Sequence, residues 1–407
     1  MSRLEELIAE LCPNGVKFEK LEDHCLLLDN ERRPVTKKDR TSGIYPYYGA
    51  NGIQDYVGDY IFDGIFLLVG EDGSVITPSG NPILNWATGK IWVNNHAHIL
   101  SEKEGTSLRY LYYALQGVNI SSVVRGTPPK LNQKNLNNIV IPVPPLPVQE
   151  EIVRILDNFA ELTAELTAEL SKRKQQYQYY RNTLVDFKEV LDKPFQINKL
   201  IVELCPNGVE YQPLKNVCEV RSGWGFPNSE QGLTEGELPF YKVSDMNNFG
   251  NGTVMTLANN YISKATAKKL GCSPAPSGTI IFPKIGAAIG TNKKRVLSTI
   301  SCYDNNVVGL IPNNLIRSKF LFYIMDSINL MQFADYSGAM PSIRKTTLEK
   351  YRIPVPPLPI QEEIVRILDR FDALCNDLTS GLPAEIEARK KQYEYYRDKL
   401  LTFKEAV

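Results

Sequence analysis

The chain has 407 residues, of which 43% are hydrophobic and 23% are charged, and its acidic and basic residues are equal in number. This length predicts two or three domains, and no apolar run is long enough for a membrane-spanning helix. Because the formal net charge is zero, the chain as a whole has no general attraction to nucleic acid, and any nucleic-acid-binding face must be a local patch.

The chain begins with an amphipathic segment rich in acidic residues. Residues 2–11 are predicted to form a short helix that stops at the turn Cys12-Pro13-Asn14-Gly15, and this segment lacks the pattern of a signal peptide. The seven cysteines form no CxxC pair and are odd in number. We therefore expect reduced thiols and a cytoplasmic protein.

The first globular region spans residues 20–140 and is rich in Tyr, Gly, Asn and Asp. Its apolar runs, separated by Gly and Asn turns, predict strands at Ile65–Val69, Lys90–Val93 and His98–Leu100. Leu108–Leu115 is predicted to be a helix.

A proline-rich connector and a long helix come next. Residues 141–159 read IPVPPLPVQEEIVRILDNF, and the prolines predict that the helix begins only at Gln149. Apolar residues then recur at steps of three and four as far as Phe187, which is typical of a coiled-coil-like stripe. A helix from Gln149 to Lys188 would span roughly 60 Å. Within it the tetrapeptide TAEL occurs twice, at residues 163–170.

The whole arrangement then repeats. Residues 141–159 return as 353–371 with two differences, and RKQQYQYYRNTL at 173–184 returns as RKKQYEYYRDKL at 389–400. The short helix and its turn return at Ile197–Gly208. The chain is therefore two tandem units, 1–190 and about 196–407.

The second globular region, residues 213–352, has no evident likeness to the first except at its exit. Strands are predicted at Phe240–Val243, Thr279–Phe282 and Val307–Ile311, and a helix at Lys319–Met331. It holds 16 basic and 9 acidic residues, whereas residues 20–140 hold 12 of each. Gly381-Leu382-Pro383 predicts a kink or break in the second long helix.

These features divide the chain into six predicted segments. They are a short helix and turn (1–19), a first globular domain (20–140), a connector and central helix (141–195), the repeated helix and turn (196–212), a second globular domain (213–352), and a connector and C-terminal helix (353–407).

Catalytic signatures are not found in the sequence. It has no phosphate-binding glycine loop, no HExxH and no nucleophile elbow, and no Gly-rich cofactor loop or Asn/Asp-Pro-Pro-Tyr/Phe tetrapeptide of a base methyltransferase. His96 and His98 would face one way on a strand, but only His24 is left to join them, and a metal site needs three or four ligands. We expect no catalytic residue, no metal and no cofactor in this chain.

Basic and amide side chains in loops favour nucleic acid instead. Arg and Lys hold phosphates, while Asn, Gln and Arg can read base edges. Each cluster taken alone is better explained as a solvated surface, but loops that combine Gly, aromatic and basic residues occur in both regions and together favour DNA. The candidate DNA contacts are Arg32, Arg33, Lys37, Lys38, Arg40, Asn94, Asn95, His96, Arg125, Lys130, Asn132 and Lys134 in the first region, and Arg221, Trp224, Lys284, Lys293, Lys294, Arg295, Arg344 and Lys345 in the second.

The tandem units, the PPLPxQEEIVRIL entry to a long helix and the RKxQYxYYRxxL motif together resemble the specificity subunit of type I restriction-modification enzymes. The TAEL tandem resembles the subgroup with such repeats in the central helix. The strings GEDGS (70–74), KIWVNNHAHIL (90–100), GTIIFPKIGAAI (278–289) and GAMPSIRKTTLEKYRIPVPPLP (338–359) are similar to target-recognition domains of that family.

The resemblance implies an α+β fold in which two globular α/β target-recognition domains are held apart by two long antiparallel, coiled-coil-like helices, in a tandem pseudo-twofold repeat. It also implies that each domain reads one half of a bipartite, asymmetric site in double-stranded DNA, with an unread spacer. The implied partners are two modification subunits, which methylate adenine with S-adenosylmethionine, and restriction subunits that translocate and cleave DNA. The repeated helix starts are the expected docking sites, with Gln149, Ile152, Arg154, Gln361, Ile364 and Arg366 as candidate residues.

Two other classes remain open from the residues alone. The chain could be the reader module of a fused methyltransferase-nuclease, although the missing catalytic motifs argue against that. It could also be a coiled-coil scaffold that binds no DNA, although two dissimilar globular regions exceed what a spacer requires.

Overall fold

A computed structural model describes residues 2–192, 195–376 and 380–406. The chain divides into two compact units, of which the first is assembled from two separated stretches of sequence and the second is continuous. Unit 1 comprises Met1–Glu165 and Ala388–Val407, and unit 2 comprises Leu166–Glu387. No helix among the described residues combines the length and apolar character needed to cross a bilayer.

The helices and strands up to the middle of the chain are α1 (Arg3–Leu11), β1 (Lys17–Lys20), β2 (Cys25–Leu27), β3 (Ser42–Gly49), β4 (Gly52–Val57), β5 (Phe62–Gly70), β6 (Leu84–Val93), β7 (Ala97–Glu102), α2 (Leu108–Gln116), α3 (Gln133–Asn137), β8 (Val140–Val143) and α4 (Leu146–Val185).

The remainder of the chain supplies α5 (Ile197–Leu204), β9 (Tyr211–Pro213), α6 (Leu214–Val217), β10 (Cys218–Ser222), β11 (Leu238–Tyr241), β12 (Val254–Met255), β13 (Tyr261–Ile262), α7 (Lys264–Lys269), β14 (Ile280–Pro283), β15 (Arg295–Leu297), β16 (Cys302–Tyr303), β17 (Val307–Pro312), α8 (Ser318–Ser327), β18 (Ala334–Asp335), β19 (Ser342–Ile343), α9 (Lys345–Lys350), β20 (Arg352–Pro354), α10 (Leu358–Asn376) and α11 (Leu382–Leu400).

Unit 1 is built on a six-stranded sheet of order β2-β7-β5-β6-β3-β4. The central strand β5 is apolar along its second half, where Leu67, Leu68 and Val69 have no exposed surface, as expected for a strand covered on both faces. Helix α2 begins at the N-cap Ser107 and packs its buried face into the core that this sheet shares with the start of α4.

Unit 2 repeats this design with a divided sheet. Its larger sheet has the order β10-β17-β14-β15-β12, and a second sheet has the order β13-β11-β16. The counterpart of α2 is α8, whose residues Phe320–Met325 are buried against the larger sheet and α10. In each unit the first short strand pairs with the strand that precedes the proline connector, β1 with β8 and β9 with β20.

The long helices pair through the repeated aromatic residues. In unit 1 the rings of Phe159 and Tyr396 stack with centroids 5.3 Å apart. In unit 2 their repeat counterparts Phe371 and Tyr180 stack at 5.0 Å. The pairing in unit 2 is antiparallel, since Phe371 meets Tyr180 whereas Cys375, one turn later in α10, lies near Lys174, earlier in α4.

The structure corrects the predicted start of both long helices. They begin at Leu146 and Leu358, three residues before Gln149 and Gln361. Pro147 and Pro359 are tolerated because a proline in the first helical turn loses no intrahelical hydrogen bond. The predicted break in the second long helix is present, since Ser380 and Gly381 are not helical and α11 begins at Leu382; residues 377–379 lie outside the described part.

Candidate nucleic-acid interface

Three loops at one end of the main sheet form a surface that occurs in both units. Loop A comes after β5 or β14 and comprises residues 71–74 or 284–287. Turn B comprises residues 94–96, before β7, or 304–306, before β17. Hairpin C comprises residues 125–130 or 337–342.

Loop A and turn B are joined by the same backbone hydrogen bonds in the two units. The amide of Glu71 donates to the carbonyl of His96 at 2.8 Å, and the amide of Lys284 donates to the carbonyl of Asn306 at 2.8 Å. Turn B is also attached to the strand beside it. The amide of Asn94 donates to Tyr48 at 3.1 Å, and that of Asp304 to Tyr241 at 2.9 Å.

Hairpin C is attached to loop A in the same way. The amide of Gly73 donates to the carbonyl of Pro129 at 3.0 Å in unit 1. In unit 2 the amide of Gly286 donates to the carbonyl of Pro341 at 2.8 Å. The two globular regions, which show no likeness in sequence before their exits, thus share the arrangement of these three loops on their strands.

The extra length of unit 2 lies outside this shared surface. Tyr48 and Glu71 are 23 residues apart, whereas their counterparts Tyr241 and Lys284 are 43 apart. The added segment contains β12, β13 and α7, so the three loops keep their attachments while the rest of the domain differs.

Beneath the loops of unit 1 lies a network of buried ionic groups. The carboxylates of Asp29 and Glu71 and the ring of His98 bring three potential metal ligands within 4.8 Å of one another. However, Arg32 forms ion pairs with both carboxylates, and Lys130 pairs with Glu71 at 3.2 Å. His98 also contacts the Leu131 carbonyl at 2.8 Å. Protein cations already balance these carboxylates, so we interpret the cluster as a support that connects loop A, turn B and hairpin C.

Unit 2 supports its loops with a smaller set. Lys284 donates from Nζ to Ser222 Oγ at 3.0 Å, and burial lowers the pKa of this lysine. Asp304 accepts hydrogen bonds from the amide and side chain of Asn306, each at 3.1 Å. Burial raises the pKa of Asp304. The side chains of Lys284 and Asp304 are thus engaged in hydrogen bonds within unit 2.

The candidate DNA contacts fall into three groups by exposure. The exposed ones are Arg33, Lys37, Lys38, Asn95, Arg125, Lys130, Asn132, Lys134, Arg344 and Lys345. The half-buried ones are Arg32, Arg40, His96, Arg221, Trp224, Lys284, Lys293 and Arg295, and the buried ones are Asn94 and Lys294. Asn94, Asn95, His96, Arg125 and Lys130 lie in turn B and hairpin C of unit 1, and Lys284 lies in loop A of unit 2. The other candidates lie outside the three loops.

Four of these candidates serve the fold, which removes them from the candidate contacts. Asn94 is 3% exposed and anchors turn B, and Lys294 is 1% exposed. Arg295 donates to the backbone carbonyls of Asn251, Lys294 and Met246, and Arg32 is held by the ionic network. Sequence alone does not distinguish these residues, because a lysine or arginine in a loop has the same pattern whether its cation faces solvent or a carbonyl.

The candidate docking residues divide in the same way. Gln149 and Gln361 are fully buried, and their side chains accept the amides of Ser107 at 2.9 Å and Arg317 at 2.8 Å, the N-cap residues of α2 and α8. Ile152 and Ile364 are likewise buried in the cores of their units, so these four side chains present no docking surface. Arg154 and Arg366 are exposed, each paired with the glutamate three residues earlier.

Sequence reasoning missed Asn305 and Asn306 of turn B in unit 2. Their signal is the Asn-Asn doublet before an apolar strand, which occurs at 94–95 and at 305–306. The doublets differ in register by one residue, and the equivalence becomes visible only through the shared hydrogen bonds.

Comparison with known proteins agrees with this duplicated design. The family model described as "Type I restriction modification DNA specificity domain" matches twice, at residues 13–173 and 206–388. A putative type I restriction enzyme specificity subunit of Haemophilus influenzae is 35% identical over 402 residues, covering 95% of this chain and 96% of that protein. The EcoR124I/EcoR124II specificity subunit of Escherichia coli is 32% identical over 311 residues, covering 73% of this chain and 71% of that one.

The fold also has a counterpart among solved structures. The crystal structure of a type I restriction-modification S subunit from M. genitalium superposes with a TM-score of 0.57 at 16% identity, covering 95% of this chain and 96% of that one. The two matches of the family model place one specificity domain in each half of the chain. The chain belongs to the type I restriction-modification specificity subunit family.

Proposed function

We propose that this chain is the DNA-recognition subunit of a type I restriction-modification complex and reads a bipartite, asymmetric site in double-stranded DNA. Unit 1 reads one half-site, unit 2 reads the other, and the bases between them go unread. The observation that carries this proposal is the three-loop surface, which recurs on one backbone arrangement with different side chains. Such a design keeps the mode of docking and changes the sequence that is read.

The exposed side chains of the two surfaces are chemically different. In unit 1 hairpin C carries the exposed cations Arg125 and Lys130, which suit phosphate contacts. In unit 2 hairpin C carries Met340, which is 61% exposed, and it is preceded by Tyr336, which is 63% exposed. The cations nearby in the sequence are Arg344 and Lys345. Because the two surfaces differ in their exposed side chains, they suit two half-sites that differ in sequence.

The repeated helices supply two equivalent docking sites for the modification subunits, and through these subunits the restriction subunits join the complex. Arg154 and Arg366 hold corresponding exposed positions. The repeated RKxQYxYYRxxL motif adds Tyr179 and Tyr395, which are 50% and 61% exposed. Each of these tyrosines packs edge-on against the next tyrosine of its helix, but half or more of its surface remains exposed. Their repetition in both copies supports a contact made twice with the same partner. In this proposal the modification subunits carry out adenine methylation with S-adenosylmethionine. The TAEL tandem at 163–170 supports membership of the subgroup with such repeats in the central helix.

DNA binding with and without the modification subunit tests this proposal. We expect the isolated chain to bind DNA weakly and without sequence preference, because its formal net charge is zero. The complex with two modification subunits is expected to bind one bipartite duplex tightly. Binding is measured by gel shift at fixed salt, with the same duplex carrying scrambled half-sites as the control. Equal affinity of the complex for both duplexes would contradict the proposed function, as would tight and specific binding by the isolated chain.

A further inference from the structure

The tip of turn B carries an exposed asparagine in both units, Asn95 and Asn305. The preceding residues, Asn94 and Asp304, are buried at 3% and 5% exposure and stabilise the turn. Asn94 Oδ1 accepts the amide of His96 at 2.8 Å, and Asp304 Oδ1 accepts the amide of Asn306 at 3.1 Å. The two asparagines thus occupy the same position in turn B, and each turn is stabilised by the same kind of side-chain-to-amide hydrogen bond.

Neither tip asparagine is needed for the local backbone conformation. Asparagine is frequent in turns because it tolerates a left-handed conformation or bonds its own backbone. In the described part of the chain, Asn292 is the one residue other than glycine with a positive φ, so neither Asn95 nor Asn305 is left-handed. Within that same part, neither side chain has a hydrogen-bond partner, and neither is among the residues with a further unspecified contact.

The surroundings of the tip in unit 1, and the chemistry of the asparagine side chain in both units, indicate a ligand of nucleic-acid type. In unit 1 loop A is joined by backbone hydrogen bonds to both turn B and hairpin C. Hairpin C carries the cations Arg125 and Lys130. The amide group of asparagine offers an acceptor and two donors side by side, which matches the N6 and N7 edge of adenine in the major groove. Other surface roles do not require the same amide at the same tip of two domains with dissimilar sequences.

We infer that Asn95 and Asn305 read base edges, each contacting an adenine in the half-site of its own unit. This inference rests on the proposed function and deepens it, because it names the residue through which each unit reads sequence. Asn306 and His96 are placed beside the tips, but their side chains are engaged, with Asp304 and Asp72 respectively. They position the turn and leave the tip asparagine for DNA.

The test replaces each asparagine in the assembled complex and maps methylated bases across a genome. The complex with the modification subunit is expressed in cells that lack other adenine methylation, and the methylated motif is read by sequencing. Asn305→Ala is expected to lower the preference for adenine at one position of one half-site about tenfold, in line with the discrimination of a bidentate contact. Asn95→Ala is expected to do the same in the other half-site.

Asn216→Ala is the matched control. Asn216 is also an exposed asparagine of unit 2, but it lies in α6 before the start of β10, at the sheet end opposite turn B. This variant is expected to keep the full motif. If both tip variants keep the wild-type motif at every position, or both relax the same half-site, the inference is overturned while the proposed function stands. If the wild-type complex methylates no bipartite motif, the proposed function and this inference are both overturned.

Discussion

Lys294 is a buried lysine whose ammonium group donates to the Ile328 carbonyl at 2.6 Å and to Asn292 Oδ1 at 2.9 Å. Burial lowers its pKa to about 8. The folded value lies below the ordinary value of 10.5, so between these two pH values the unfolded chain binds more protons than the folded chain. The free energy of unfolding must therefore rise as the pH increases through this window.

Replacing Lys294 with methionine tests this linkage. Wild type is expected to gain about 1–2 kcal/mol of unfolding free energy relative to Lys294→Met between pH 7 and 9.5. Urea unfolding of both proteins at each pH measures the difference. Lys293→Met, at the adjacent and less buried lysine, is the control and should behave like wild type. Parallel pH curves for wild type and Lys294→Met would show that the ammonium group is not buried in solution.

At the scale of elements, the Pro-Asn-Gly turn that follows the short helix has different neighbours in the two units. In unit 1 the C-terminal segment pairs with the residue after this turn, since Val16 donates to Lys404 at 2.8 Å and Ala406 donates to Val16 at 2.9 Å. A Cβ at Gly15 would lie 2.6 Å from the Lys404 carbonyl oxygen. At the corresponding Gly208, no described atom lies within 4 Å of such a Cβ.

This contrast makes Gly15→Ala and Gly208→Ala a matched pair. Both glycines have positive φ, +99° and +85°, so each substitution is expected to cost about 1–2 kcal/mol from backbone strain alone. Only Gly15→Ala should also release the C-terminal segment. Hydrogen exchange at the amides of Val16 and Ala406 is expected to accelerate in Gly15→Ala and to stay unchanged in Gly208→Ala. Equal exchange in the two variants would contradict the close approach of the segment.

Periodicity and turn chemistry made several elements predictable. Helices α1 and α2 match the predicted 2–11 and 108–115 within a residue or two, and the predicted strands fall within β5, β6, β7, β11, β14 and β17 or overlap them. The hairpin of β3 and β4 was missed, because only the last three residues of Ser42–Gly49 are buried and the strand has no clean apolar alternation. The start of α4 was placed too late because proline was treated as a barrier instead of a first-turn residue.

The shared three-loop surface could not be predicted for a specific physical reason. Its matching hydrogen bonds join backbone amides to backbone carbonyls, and almost any residue can supply these groups. Unrelated sequences can therefore build the same loops, so comparison of side chains does not reveal the likeness. The exposure of individual lysines could not be predicted from the sequence either, since Lys293 and Lys294 are adjacent yet differ in burial.

At the scale of the whole molecule, the central helix α4 runs without interruption through the TAEL tandem at 163–170. Inserting one more TAEL after Leu170 adds four residues, which lengthens the helix by ~6 Å and rotates its C-terminal part by ~40°. Leucine then stays on the packing stripe, so the helix pairs should still form.

The insertion is expected to lengthen the preferred DNA spacer by one or two base pairs, since B-DNA rises ~3.4 Å per base pair. One base pair is favoured because each added base pair also rotates the half-site. Methylation of synthetic targets with identical half-sites and spacers varied one base pair at a time measures the preference. Retention of the parental spacer by the insertion variant would show that the helix does not set the spacing.

The central claim is that each unit reads its own half-site independently. Its most direct measurement is the methylated motif of a complex in which residues 20–125 come from another family member, read by sequencing of methylated DNA. The reciprocal exchange of residues 213–337 is the matched control. We predict that the first exchange changes one half of the motif and leaves the other half and the spacer unchanged, while the second exchange changes only the other half. Changes in both halves after a single exchange, or in neither, would contradict this account.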